Sequence, residues 1–131
     1  MRPKRQLLRP ILTDQAEQEI SGVAGVCAFE LGNRVILKSG CVIGMEGFGF
    51  AQDDKGRSHR IPQTGRVVIE DDVVMGAHCN VDRATWAETR IRAGCKFDAL
   101  CHVAHNVDFG EDCIVVAQTG VAGSVLRSHP K

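Results

Sequence analysis

The sequence predicts an all-β chain wound as a left-handed parallel β-helix of hexapeptide repeats, and three observations carry that prediction. First, Ile91, Phe97, Val103, Phe109, Val115 and Val121 are successive apolar residues spaced by six, and the phase recurs upstream in Leu31, Leu37, Ile43 and in Ile69, Met75, Val81. Second, with the apolar residue as position i, position i+4 holds Val35, Cys41, Val73, Cys79, Thr85, Cys95, Cys101, Val107, Cys113, Thr119 and Val125, all small or β-branched. Third, glycine recurs at i+1, in Gly32, Gly44, Gly76 and Gly110, where it would supply the backbone freedom that close corners demand. A period of six fits neither the 3.6 of a helix nor the alternation of an open sheet, but suits short strands joined by tight corners, three hexads to a triangular coil. A small β-sandwich would show period two and does not account for the cysteine slot.

In chain order, residues 1–22 form an N-terminal segment outside the phase. There Leu7, Leu8, Ile11 and Leu12, followed by Gln15-Ala-Glu-Gln-Glu19, read as a short helix against the first coil or as an irregular segment. The β-helix domain spans 23–128, with an inserted loop over 48–66 whose Asp53-Asp-Lys-Gly-Arg-Ser-His-Arg60 is polar enough to project. A smaller break surrounds Arg83-Ala-Thr-Trp-Ala-Glu-Thr-Arg90: Val81 and Ile91 stand ten apart instead of twelve, which predicts one shortened coil. Residues 129–131 are a tail.

The chain has 131 residues, and its 16 basic and 16 acidic side chains cancel, leaving no broad field to hold nucleic acid. No apolar run approaches the roughly 18 residues that span a bilayer. The basic N-terminus is followed by Asp14, Glu17 and Glu19 rather than by the apolar core of a signal peptide, so the sequence reads as cytoplasmic. Five of the six cysteines occupy the i+4 slot and none forms a CxxC pair, which makes them core residues rather than ligands. Cys95 and Cys113, one coil apart, would stack within reach of oxidation, but a reducing cytosol predicts free thiols.

The segment from Val42 to Ser124, about two-thirds of the chain, resembles the UDP-3-O-acylglucosamine N-acyltransferases of lipid A biosynthesis. The words that carry the likeness are Gly47-Phe-Gly-Phe-Ala51, Ile61-Pro-Gln-Thr-Gly-Arg-Val-Val-Ile69, Val81-Asp-Arg83, Ala104-His-Asn-Val107 and Val121-Ala-Gly-Ser124. The resemblance implies a homotrimer with active sites between subunits. It would move a 3-hydroxyacyl chain from acyl carrier protein to the 2-amine of a UDP-linked, 3-O-acylated glucosamine, without a cofactor. The residues before Gly22 are too few for the family's uridine-binding module, and only eight follow Gly123, fewer than the family's further coils and C-terminal helices need. A non-catalytic trimeric scaffold and a related acyltransferase with a smaller acceptor are therefore the alternatives, and an uncapped last coil would expose apolar rungs.

Within that resemblance His105 matches the family's catalytic base, and imidazole chemistry suits that role. Aminolysis of a thioester needs a group that removes a proton from the attacking amine near neutral pH. His105 is i+2 of its hexad, at a corner. Gly123 follows it by eighteen residues, hence at the same corner one coil later, where its N–H is the candidate oxyanion donor. Asp98, seven residues before His105, falls where the family carries an acidic partner. Asn106 is a candidate for holding substrate, although an asparagine at a tight corner more often serves the turn. Phe48 and Phe50 are assigned to anchoring the loop. A zinc site of γ-carbonic-anhydrase type would draw on His78, His102 and His105, but such enzymes place two ligands five apart, whereas His102 and His105 are three apart, so no metal is expected.

Overall fold

The structure, a computed structural model, describes residues 11–12, 19–20, 24–25 and 29–127. It is a left-handed parallel β-helix, with no helix among the described residues. One side of the triangle stacks β1 (Ile11–Leu12), β4 (Phe29–Leu31), β9 (Arg66–Ile69), β12 (Glu88–Ile91), β15 (Asp108–Phe109) and β18 (Leu126–Arg127). A second stacks β2 (Glu19–Ile20), β5 (Ile36–Leu37), β10 (Val74–Met75), β13 (Lys96–Phe97) and β16 (Ile114–Val115). The third stacks β3 (Ala24–Gly25), β6 (Val42–Met45), β11 (Asn80–Asp82), β14 (His102–Val103) and β17 (Gly120–Val121).

Hexad residues pair in register between coils: Leu37 with Met75, Met75 with Phe97, Val81 with Val103 and Val103 with Val121. Each i residue points inward, so one apolar column per side fills the prism. Phe97 and Phe109 meet edge to face in its middle, their centroids 5.1 Å apart.

The cysteines gain a second reason for their slot. Each i+4 thiol of Cys41, Cys79, Cys95 and Cys101 donates to the i+1 carbonyl of the next coil, at Gly76, Asp98, Gly110 and Val116, over 3.0–3.2 Å. A small apolar residue with one weak donor meets both demands. The five described cysteines are free, and burial pushes the Cys95 thiol up to about 11, which keeps it protonated and unreactive.

The corners differ from the expectation. Left-handed backbone recurs at i+3 rather than at i+1, where Gly44 is the exception: Arg34, Asp72, His78, Leu100, Asn106, Asp112, Gln118 and Ser124 all have φ of 53–63°, joined by Gly40 and Gly94. There the i+3 N–H donates to the i+2 carbonyl of the preceding coil, as Asp72 does to Asn33, Leu100 to Ala77 and Ser124 to His105. Glycine at i+1 is required chiefly by space: a Cβ on Gly32 or Gly76 would stand 2.7 Å from the backbone of the next coil. Gly44 alone of these has a positive φ, of 85°.

Two further readings are corrected. Residues 11–12 and 19–20 are strands, paired with β4 and β5, so the β-helix begins before residue 23 and the short helix is not found at those positions. The uneven spacing of Leu12, Ile20 and Gly25, which pair with Leu31, Leu37 and Ile43, hid the phase; the rest of 1–22 lies outside the described residues. The second break lengthens its coil rather than shortening it. Ile69 pairs with Ile91, twenty-two residues on, whereas Ile91 to Phe109 takes eighteen. Four extra residues, 84–87, bulge from one corner and leave Trp86 exposed.

The large insertion leaves after Met45 and returns at Arg66. It contains an antiparallel hairpin, β7 (Phe50–Gln52) against β8 (Ser58–Arg60), tied at its tip by Asp53, which accepts from the N–H groups of Lys55 and Arg57. Phe48 and Phe50 form an edge-to-face pair, yet Phe48 is 85% exposed, so the aromatic pair does not anchor the loop in the core.

Candidate active site

His105 occupies the corner after β14, and Gly123 the same corner one coil on, stitched by the Ser124 N–H donating to the His105 carbonyl at 2.9 Å. The two residues are thus neighbours, as eighteen-residue spacing requires, and their packing shows why the second is glycine. A Cβ on Gly123 would stand 2.5 Å from Nε2 of His105 and 2.7 Å from Cε1. Gly123 has no left-handed φ, so it is glycine because the imidazole lies on its Cα. Gly47 closes the ring from the other side: its Cβ would stand 2.8 Å from the Cβ of His105 and 2.7 Å from Oε1 of Gln63.

Around this slot the two insertions meet. The return of the hairpin is bonded to the four-residue bulge, Thr64 N–H to Thr85 O, Gly65 N–H to Ala84 O and Arg66 N–H to Ala87 O. Gln63, buried between them, accepts from the Thr85 hydroxyl at 2.9 Å and donates to Ile61 O at 3.1 Å. Below the bulge, Asn106 accepts the Thr85 N–H at 2.9 Å through Oδ1 and donates Nδ2 to Trp86 O at 2.9 Å. Its own N–H lacks the usual corner carbonyl because the bulge displaces it, and donates instead to Oγ1 of fully buried Thr89 at 2.9 Å. The side chain of Asn106 is thus bonded to the bulge; it also lies 3.2 Å, Oδ1 to Nδ1, from His105.

The pairing of Asp98 with His105 is not made within this chain. Asp98 sits at the corner after β13, one side of the triangle earlier, exposed, with Oδ1 accepting the N–H of Ala99 at 2.8 Å. Three hexads per turn put residues seven apart on different corners. The acidic group near the site is Asp82, in the Val81-Asp-Arg83 word, to which sequence reasoning gave no role. It is 4% exposed, accepts from Asn80 Nδ2 at 2.8 Å and lies 3.4 Å from Nε2 of His102. It stands at i+1 of the Val81 hexad, a slot that also holds Lys38, Glu70, Arg92 and Asp98, so the repeat gave no sign that this carboxyl is buried.

Burial holds the Asp82 carboxyl above the usual carboxylate range, against the opposing pull of Asn80, His102 and His105. A raised folded-state pKa contributes stability below the unfolded value, about 4, that is lost as pH rises through the folded one. Above that window the burial of this carboxyl is therefore a net cost. Asp82→Asn is expected to unfold at a higher temperature than the parent at pH 7, with the difference shrinking toward pH 3; thermal unfolding at both pH values reads it.

Among the described residues no group of three or more His, Cys, Asp or Glu side chains is placed to hold a metal ion. No described helix is long and apolar enough to cross a membrane.

No protein-family model matches the chain. Among curated proteins it is 59% identical over 95 residues to the UDP-3-O-acylglucosamine N-acyltransferase of Methylococcus capsulatus, covering 72% of this chain and 27% of that protein. The enzyme of the same name from Syntrophobacter fumaroxidans is 58% identical over 88 residues, 67% of this chain and 25% of its own length. That from Wolinella succinogenes is 50% identical over 100 residues, 76% and 31%. The chain thus spans between a quarter and a third of the length of these relatives. Across about 70% of its own residues, it is a homologue of the UDP-3-O-acylglucosamine N-acyltransferases.

Proposed function

We propose that the chain carries the acyl-transfer site of a UDP-3-O-acylglucosamine N-acyltransferase, taking a 3-hydroxyacyl group from acyl carrier protein in the cytoplasm and working as a homotrimer with its sites between subunits. The observation that supports this most is the His105 imidazole laid on Gly123, with Nε2 facing the backbone of the next coil. That arrangement would let a base and a backbone donor serve one reacting centre.

In this scheme the 2-amine of the sugar attacks the thioester carbonyl while Nε2 of His105 takes an amine proton. The C–N bond forms, and the former carbonyl oxygen becomes an oxyanion. The Gly123 N–H, which has no acceptor among the described residues, donates to that oxyanion. Collapse breaks the C–S bond, and the imidazolium returns its proton to the leaving thiolate. Asp98, bound to its own turn, takes no part in these steps within its chain, and Asn106 is held by its bonds to Thr85 and Trp86.

The reading is tested by incubating the purified chain with 3-hydroxyacyl thioester of acyl carrier protein and UDP-3-O-acylglucosamine, and following the amide by mass spectrometry. An N-acylated sugar, absent when the acceptor amine is blocked, is the expected product. No amide, or thioester loss independent of the acceptor, would overturn it.

A further inference from the structure

The contact between His105 and Asn106 bears on which ring nitrogen carries the proton. The Asn106 amide cannot be turned over: Oδ1 receives the Thr85 N–H at 2.9 Å and Nδ2 gives to Trp86 O at 2.9 Å. Exchanging the two would set N–H against N–H and C=O against C=O, with the loss of two hydrogen bonds. The atom 3.2 Å from Nδ1 of His105 is therefore an acceptor. Only a protonated Nδ1 completes that contact, and the lone pair is left on Nε2, the nitrogen that lies on Gly123.

We propose that Asn106 is a positioning residue that sets the tautomer of His105, with the four-residue bulge at 84–87 as the frame that locks the amide. This rests on the reading of His105 as the base. An acidic partner would do the same through a carboxylate, whose lone pairs accept from either side. An amide can orient a base only if its own orientation is fixed, and the two bonds to the bulge fix it. Those bonds also give the lengthened coil a reason to fall directly before the coil of His105. Without residues 84–87, Asn106 would find neither the Thr85 N–H nor the Trp86 carbonyl.

The ring nitrogens of His105 can be read by 15N NMR on the full chain near pH 8, with the signals assigned by their loss in His105→Gln. The parent is expected to show the Nδ1–H tautomer. Asn106→Gly suits the left-handed φ of 57° and removes the amide, and is expected to shift His105 toward Nε2–H. In the same variant kcat should fall at least about tenfold, with KM within about threefold of the parent. Asn106→Asp, which keeps an acceptor toward Nδ1, is expected to retain Nδ1–H. An Nε2–H parent, which needs no variant to be observed, or an unchanged tautomer in Asn106→Gly, would overturn the proposal. If the tautomer behaves as expected while His105→Gln leaves acyl transfer intact, it is the catalytic reading that fails.

Discussion

Gly123→Ala is expected to lower kcat/KM for acyl transfer by about 100-fold or more while leaving the fold intact. The added Cβ would enter at 2.5 Å from Nε2 and 2.7 Å from Cε1 of His105, inside any allowed contact. The residue has no left-handed φ, so alanine costs the backbone nothing, and the clash falls on the free end of a side chain that can rotate. Relief therefore comes from the imidazole, which must leave its place by an ångström or more and lose its 3.2 Å contact with Asn106. Misplacing a reacting group by that distance costs on the order of 100-fold. Initial-rate kinetics and thermal unfolding, measured on the same preparation, separate the two effects. A variant with parental kcat would show that the ring position is irrelevant, and one that unfolds far below the parent would show that the glycine serves the coil.

Phe109→Ala is expected to cost about 3–5 kcal/mol of folding stability. Phe109 is 1% exposed, the largest of the fully buried side chains, and packs edge to face on Phe97 in a core one side chain wide. A narrow prism cannot collapse around the cavity, because its walls are pinned by hydrogen bonds between coils on all three sides. For a domain whose total stability is about 5–15 kcal/mol, that loss is a large fraction. Phe48→Ala, at a side chain 85% exposed, is expected to change stability by less than about 0.5 kcal/mol. Denaturant unfolding of the two variants beside the parent reads the contrast; equal midpoints would mean that the column of i residues does not carry the fold.

The core was legible because a solenoid writes it locally: each inward residue recurs at a fixed interval, and neighbouring coils repeat the same environment. Leu31 to Val121 fell into place for that reason, and so did Gly123 above His105, since eighteen residues make one turn. What broke the interval was misread. The bulge at 84–87 looked like a deletion from two hexads, because ten residues is closer to twelve than to six, while the chain used them for a single side. The strands at residues 11–12 and 19–20 pair without keeping the period, and so gave no signal.

The site was half legible. His105 and Gly123 lie at matching positions of consecutive coils, which arithmetic finds. The partner of His105 lies beside it in sequence, and its role depends on bonds to Thr85 and Trp86 that exist only because of the bulge. Asp98 was drawn from resemblance to a pattern, and the triangle sets it at another corner. Gln63 and Asp82, both buried polar residues near the slot, sit where an insertion or a strand end interrupts the repeat, and periodicity is silent about such places.

The central claim, that His105 is the base of an acyl transfer, is tested most directly by comparing the parent chain with His105→Ala in thioester-dependent acylation of UDP-3-O-acylglucosamine. The account predicts turnover by the parent and a loss of about 100- to 10,000-fold in kcat for the variant, with unfolding temperature little changed at this half-exposed corner. Equal rates for the two proteins, or no turnover by either, would contradict it.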